Sequence, residues 1–511
     1  MPTPPTTIYR RPNVLHHHLL YLIATLILTC LSVGSSINAH IHASESKSQC
    51  VPNIVFILAD DLAWADLGCY GHPWHETSHL DQLAAKGMRF TDGYASAPIC
   101  SASRASILTG KSTARLGFEF VTKEHPGEQA IPGQRLQTPP FTLDLPLKEL
   151  TVAERLRDSG YDTAFFGKWH LNAHYGGYLG WSPTHGPTKH GFDMAVQDFG
   201  SHPYGYSRGG SSAINITTSG EYPVDSLTEQ AKAYLSTPRD KPFFMMVSHF
   251  YVHTPVDPRC QWLIEKYAAK VPANSPNRDQ RIKYGAFVET LDHYVGQLLT
   301  ALAESKHAKN TLVVFTSDNG GHPEYTANGP LRGSKWNLYE GGIRVPFIAQ
   351  WPRQIDAGST TSTPVIGYDL LPTFVELAGG TIDETEHSID GTSLVDLLRG
   401  SKELPERSLY WHFPYYHPER GYSQSLDRIG VDDFAVSKTR PQSAMRRAGQ
   451  KLIYFYEDQR TELFDLTQDA SERTDLWSPG TDAAKRLKSD LESYLDRVNA
   501  RRPTETAVSP N

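Results

Sequence analysis

Cysteine is scarce. Five in 511 residues is too few for a disulfide-built scaffold. A basic surplus is missing too. At a net charge of −7 nothing marks the chain for nucleic acid or an acidic membrane, so an anionic substrate would need a local cluster of cations. No apolar run is long enough to cross a bilayer. The longest, Leu19 to Val33, falls short of the roughly 20 residues a spanning helix needs, and no stable membrane insertion is expected. Gly110-Lys111-Ser112 resembles the end of a phosphate-binding P-loop, but the glycine that loop needs five residues earlier is replaced by Ala105.

What is present begins with a leader. Arg10 and Arg11 precede the apolar run, and small residues follow, with Ala39 and Ala43 as cleavage positions. Residues 1–43 therefore read as a signal peptide, and the mature chain is expected to be secreted or periplasmic. A lipoprotein signal at Cys30 would want a smaller residue than Thr29 before it. With Cys30 removed and Cys100 given another role, Cys50, Cys69 and Cys260 leave room for at most one bridge. Asn215-Ile216-Thr217 fits a glycosylation acceptor.

Four short apolar runs follow: Asn53 to Ala59, Thr163 to Phe166, Phe243 to Ser248 and Thr311 to Thr316. Each suits a strand buried on both faces. Helical periods lie between them, at Leu80 to Lys86, Thr151 to Ser159 (capped by Thr151 with Glu154 and stopped at Gly160) and Phe287 to Leu302. This alternation predicts an α/β domain over residues 50–400, a large, mostly parallel sheet flanked by helices. The Pro/Gly-rich stretch Pro126 to Pro146 reads as a surface loop. Beyond Gly400 the pattern changes. Leu452 to Tyr456 and Thr461 to Leu466 read as a hairpin, and Leu487, Leu491, Leu495 and Val498 form one helical stripe. A C-terminal subdomain of antiparallel sheet plus helix is expected over 401–500, and a disordered tail over 501–511.

Polar residues stand just after the four apolar runs: Asp60-Asp61, Lys168-Trp169-His170, His253 and Asp318-Asn319. Ligands of open α/β sheets bind at the carboxyl ends of strands. One such pair would be a cap or turn, but four point to one site. Asp60, Asp61, Asp318 and Asn319 offer hard oxygens with no Cys or His at a zinc spacing beside them, which suits Ca²⁺ or Mg²⁺. Two adjacent acids at a buried strand end repel without a cation. Cys100 alone would be a small buried hydrophobe. In a helix starting there, Arg104 shares its face and could stabilise an oxyanion.

Cys100-x-Ala102-x-Arg104 followed by Leu108-Thr109-Gly110 resembles the sulfatase signature. Asp60-Asp61, Gly167-Lys168-Trp169-His170-Leu171, His253-Thr254-Pro255, Ser317-Asp318-Asn319-Gly320, Leu331 to Lys335 and Tyr339 to Pro346 resemble the family's other blocks, in family order, over roughly residues 50–475. The resemblance implies an alkaline-phosphatase-like α/β fold and a formylglycine-dependent sulfatase, a hydrolase of sulfate monoesters. It implies oxidation of Cys100 to formylglycine by a maturation enzyme. The hydrate's one hydroxyl would attack sulfur, and the second would lose a proton to expel sulfate. It implies one Ca²⁺ held by Asp60, Asp61, Asp318, Asn319 and residue 100. Arg104 and Lys168 would hold the diol and sulfate, His170 would be the base, and His253 and Lys335 would bind sulfate and assist the leaving oxygen. Ala102 departs from the proline of many members and bears on how efficiently Cys100 is matured.

Two rivals stand beside this reading. A phosphatase or phosphonate hydrolase of the same superfamily would commonly carry His where Asn319 stands. An inactive, sulfatase-like binding protein would have lost polar positions that are all retained here. The substrate expected is an aryl sulfate or a sulfated polysaccharide or glycosaminoglycan fragment. Tyr410 to His417, dense in aromatics and imidazoles, either packs two subdomains together or forms a sugar-stacking wall. His174 and His322 either line the site or lie at the surface.

Overall fold

The computed structural model describes residues 7–10, 51–206, 219–326, 328–383, 388–401, 403–417 and 439–506. The apolar run Leu19 to Val33, on which the expected leader rests, Cys30, Cys50 and Asn215 to Thr217 lie outside them.

Asn53–Ala59 is buried throughout. Ile54, Phe56 and Leu58 enter one hydrophobic core, and Val55, Ile57 and Ala59 enter another on the opposite face. A strand with two apolar faces must be covered on both sides, which places it mid-sheet with helices above and below. It is the fifth strand of nine, in the order Thr7–Arg10, Met194–Gln197, Asp162–Gly167, Phe243–Ser248, Asn53–Ala59, Thr311–Ser317, Phe347–Gln350, Met88–Phe90, Ser359–Thr361. The five strands from Met194–Gln197 to Thr311–Ser317 run parallel. Phe347–Gln350 opposes both its neighbours, and Thr7–Arg10 pairs antiparallel at one edge. The sheet is thus mixed and mostly parallel, as the alternating pattern indicated.

The expected helices are present. Val152–Asp158 carries the Thr151/Glu154 capping box. Arg278–Glu304 starts nine residues before the expected Phe287 and buries Ile282, Tyr284 and Ala286 in the added turns. Among the described residues no helix is long and apolar enough to cross a membrane. Cys69, Cys100 and Cys260 are free thiols.

A second, antiparallel sheet runs Ser408–Phe413, Gln442–Arg447, Gln450–Phe455, Thr461–Asp465. Its two faces divide cleanly. Trp411, Phe413, Ile453 and Phe464 pack against Tyr94, Ile99 and Ala102 of the larger unit, while Met445, Leu452 and Leu463 pack under the helix Asp482–Arg497. This decides the Tyr410 to His417 stretch. Trp411 is 1 % exposed and Phe413 and Tyr415 are fully buried, and the Trp411 indole donates to the Ala95 carbonyl at 2.9 Å. From Trp411 on, the stretch is buried packing rather than a wall facing sugar, and half-buried Tyr410 stacks on Tyr494 of the C-terminal helix, ring centroids 3.7 Å apart.

The start of the expected disordered tail is pinned. Arg501 pairs with buried Glu119, and Thr504–Glu505 pairs with Leu136–Gln137. A guanidinium with a buried carboxylate to satisfy has no reason to stay in solvent. Residues 507–511 lie outside the description.

Candidate active site

Asp60 and Asp61 follow Asn53–Ala59 directly, and Asp318 and Asn319 follow the adjacent parallel strand Thr311–Ser317. Parallel neighbours end at the same edge, so the four oxygen-bearing side chains meet there by register alone. The Asp61 N–H donates to Asp318 Oδ1 at 3.2 Å. Lys168 follows Asp162–Gly167, and His253 lies five residues past Phe243–Ser248.

Cys100 opens the helix Cys100–Thr109, buried in all ten residues. Its Sγ lies 3.5 Å from Asp60 Oδ1 and 3.9 Å from Asp61 Oδ1. Sγ marks where any group built on the residue-100 side chain would emerge. The helix presents its unpaired N–H end to this point, which favours negative charge there. Arg104, one turn on, donates from Nε to Asp318 Oδ2 at 2.8 Å and from Nη1 to the Lys168 carbonyl at 2.9 Å.

Cations close the site. Lys168 Nζ pairs with Asp60, and Lys335 Nζ sits 2.7 Å from Asp61 Oδ2. Lys335 arrives on a loop seated by glycines. A Cβ on Gly320 would fall 2.0 Å from the Gly341 carbonyl oxygen, and one on Gly342 would fall 2.1 Å from that of Asn337. Only bare backbone allows this approach, and with it the Lys335 N–H reaches the Gly321 carbonyl at 3.0 Å. Asp61 and His170 hold left-handed backbones, at φ 61° and 56°. Such strain in non-glycine residues concentrates where function needs a fixed side chain.

The electrostatics follow from burial. Asp60 is pushed up to about 7, first by burial and then by the charge of Asp318, against Lys168 and Arg104. For Asp61 burial acts the same way, but Lys335, His253 and Lys168 outweigh it and hold the carboxyl below its usual range. Burial, then Lys168, keeps His170 well below its ordinary value. Its Nδ1 is buried without a hydrogen-bond partner, so a neutral imidazole is available to accept a proton.

Donor atoms of Asp60, Asp61, Cys100 and His253 all lie within 4.8 Å of one another. His253 is in this group and Asp318 is not; the Asp318 oxygens take Arg104 and the Asp61 N–H. Asn319 Nδ2 donates to Asp61 Oδ1 at 2.7 Å, leaving its Oδ1 buried and unpartnered. A buried acceptor without a donor beside two adjacent carboxylates fits a hard cation.

All ten expected site residues thus fall in one neighbourhood, and of the two further histidines His174 joins them, its ring 5.9 Å from that of His170. His322 is buried against Trp336, ring centroids 5.0 Å apart. Two participants went unread in the sequence. Ser248, the last residue of its strand, takes Arg104 Nη1 and donates to the Lys168 carbonyl at 2.8 Å. Its strand-end position was the available signal. The Tyr204 hydroxyl lies 2.9 Å from His253 Nδ1, and no motif marks it. A second grouping, Asp66 with His72 and His75, is already satisfied. Asp66 accepts from the Ala63 N–H, Tyr284 and Thr326, and His72 Nδ1 accepts the His75 N–H at 2.9 Å.

The family profile described as Sulfatase matches residues 52–380, and that described as N-sulphoglucosamine sulphohydrolase, C-terminal, matches 334–501. Arylsulfatase A of Homo sapiens is 35 % identical over 408 residues, 72 % of each chain. N-acetylgalactosamine-6-sulfatase of Canis lupus familiaris is 32 % identical over 388 residues, 71 % of this chain and 68 % of that one. Among solved structures, that of Ps i-CgsB in complex with k-i-k-neocarrahexaose superposes with a TM-score of 0.66 at 26 % identity, over 87 % of this chain and 92 % of the other.

Proposed function

We propose that this chain, which belongs to the sulfatase family and is a sulfuric ester hydrolase, removes sulfate from saccharides at an oxidised Cys100 beside a bound Ca²⁺. The observation that carries this reading is the seat of Cys100, at a helix N-terminus within 3.9 Å of both Asp60 and Asp61 and ringed by Arg104, Lys168 and Lys335. That is an anion site around one reactive position.

Asp60, Asp61, Asn319 and residue 100, with Asp318 behind them, would hold the ion. Three carboxylates facing three cations are neutral together, so a divalent ion makes the pocket a net attractor for a sulfate monoester. Such an ion supplies Lewis-acid polarisation, and formylglycine supplies a hydrated aldehyde whose hydroxyls serve as nucleophile and exit route. The chain's own groups do the rest. Arg104, anchored at Asp318 and the Lys168 carbonyl, fixes a positive edge behind residue 100. Lys168 and Lys335, set free of Asp60 and Asp61 by an ion on those oxygens, would neutralise the sulfate as charge develops. His170, neutral and unpartnered at Nδ1, accepts the proton at residue 100. His253, bonded through Nδ1 to Tyr204 and to the Thr254 carbonyl, directs Nε2 towards the leaving oxygen.

A saccharide substrate is supported by relatives named for N-acetylgalactosamine 6-sulfate and by the neocarrahexaose complex. Export through a leader of residues 1–43, to the secreted or periplasmic space, belongs to the same reading, and cleavage there would remove the edge strand Thr7–Arg10 from the sheet. Mass spectrometry of the Cys100 peptide, with turnover of 4-nitrophenyl sulfate and 4-nitrophenyl phosphate, tests it. Formylglycine with faster sulfate turnover is expected. Faster phosphate turnover would overturn the reading.

A further inference from the structure

With Trp411 to His417 buried and Tyr410 stacked on Tyr494, the saccharide must find its apolar surface elsewhere. Two large aromatics near the site are open to solvent. Tyr178 is 44 % exposed and Tyr175 is 60 % exposed, on a loop that turns through Gly176 and Gly177, both at positive φ. The Tyr178 ring stands edge-on to three site-side rings: His174 at 5.0 Å, Tyr204 at 5.7 Å and His170 at 6.4 Å. Its hydroxyl is hydrogen-bonded to Tyr204, which in turn meets His253 Nδ1 at 2.9 Å. The ring is therefore fixed from the protein side, next to two groups proposed to move protons, and open on the other.

Lys123 reaches the same group through His174: its carbonyl accepts the His174 N–H at 3.4 Å, and its positive charge, after burial, helps hold the His174 imidazole below its ordinary value. The Lys123 ammonium lies over the faces of Phe120 and Phe141, at 5.2 and 5.7 Å. Among the described residues it has no acidic partner, unlike Arg104, Lys168 and Lys335. A half-buried cation held by aromatic faces and lacking a carboxylate is set to receive an anion.

We propose that Tyr178 is the platform on which the sugar bearing the scissile sulfate stacks, and that Lys123 beside it takes a second acid group of the saccharide. This rests on the sulfatase reading of the site and narrows it to anionic saccharides. The apolar face of a pyranose matches an aromatic ring that is rigid and half dehydrated before the ligand arrives. A tyrosine suits the place because its ring can bind sugar while its hydroxyl stays tied to Tyr204.

The test measures binding by calorimetry to Cys100→Ala protein, which leaves sulfate esters intact. The probes are N-acetylgalactosamine 6-sulfate, a disaccharide joining it to a uronic acid, and neocarrahexaose. Adding Tyr178→Ala is expected to weaken the tightest probe about 10-fold, the equivalent of about 1.4 kcal/mol. Tyr178→Phe, which keeps the ring and loses the hydroxyl, is expected to bind within about 2-fold of the parent. Lys123→Met is expected to weaken the uronate-bearing probe several-fold more than the monosaccharide. Thermal melting checks each fold. Undiminished binding by Tyr178→Ala, equal losses in the Phe and Ala variants, or no binding of any probe overturns the platform. Equal losses on both probes with Lys123→Met overturn its part. If formylglycine-verified protein leaves 4-nitrophenyl sulfate uncleaved, the sulfatase mechanism fails while the calorimetry still decides the platform.

Discussion

Lys335 Nζ lies 2.7 Å from Asp61 Oδ2 across 274 positions of sequence, with both side chains buried. Burial alone would drive the Lys335 ammonium towards neutrality, but Asp61 outweighs it and holds the group well above its ordinary value. Lys335→Ala should therefore do two things. Turnover of 4-nitrophenyl sulfate should fall by roughly 10²–10³-fold, the cost of removing one preorganised positive group from a developing oxyanion. Calcium-free protein should lose about 3–5 kcal/mol, because Asp61 is left buried without its counter-charge. Added Ca²⁺ should restore most of that stability and none of the turnover. Steady-state kinetics and melting curves with and without Ca²⁺ check both halves.

Chelation should lower the melting temperature and stop turnover, with Ca²⁺ reversing both. At an ion concentration about 100 times Kd the gain in stability should be about 2.7 kcal/mol. Asp60→Asn should abolish the calcium-dependent gain, since Asp60 is one of the donors that lie within 4.8 Å of one another at the site. An Asp60→Asn protein stabilised by Ca²⁺ as much as the parent would remove Asp60 from the ligand set.

The interface between the two sheets predicts a pH effect. Lys451 is fully buried, 2.9 Å from both Glu340 and Glu472. Glu472 is pushed up to about 7, by burial first and then by Glu340, whereas Lys451 and Arg344 overcome burial to hold Glu340 down at about 2. The folded protein thus keeps the Glu472 proton after the unfolded chain has released it. That contribution is whole below the unfolded value of 4.5 and drains away as pH rises towards 7. The loss could reach about 3 kcal/mol. Glu340 acts oppositely, but only as pH falls from 4.5 towards 2. Glu472→Gln should flatten the fall in melting temperature between pH 5 and 8. An unchanged slope would refute the assignment.

Trp411→Ala should destabilise the protein by about 3–5 kcal/mol, as a large buried aromatic does when truncated. At a temperature where the variant stays folded, its relative rates on sulfated saccharides and 4-nitrophenyl sulfate should match those of the parent. A selective loss on saccharides would return this residue to the substrate.

Much of the site could be read from the sequence because it hangs on strand ends. Asn53 to Ala59, Phe243 to Ser248 and Thr311 onward are apolar on both faces, so their boundaries are sharp and the first polar residue past each marks the sheet edge. The helix Arg278–Glu304 begins earlier than its apolar period because its first turn, Arg278 to Arg281, is polar and buries no side chain. Tyr410 to His417 resisted reading for another reason. Composition says that aromatics are present, but the two-residue period of a strand does not say which face meets protein. Lys123 sits in irregular chain and Tyr204 in a single turn of helix, Pro203–Tyr206, too short to carry a periodic signal, so only tertiary packing assigns their neighbours.

The burial of Cys100, at 1 % exposure, sets a timetable. Any enzyme that oxidises this side chain must reach it before Ile99 and Ala102 are covered by Trp411, Phe413 and Ile453. Those covering residues leave the ribosome roughly 310–350 residues after Cys100, an interval of about 15–70 s at ordinary synthesis rates. The order of elements along the chain therefore opens a period in which residue 100 is synthesised but not yet sealed. A circular permutation that moved the second sheet ahead of Cys100 would close it.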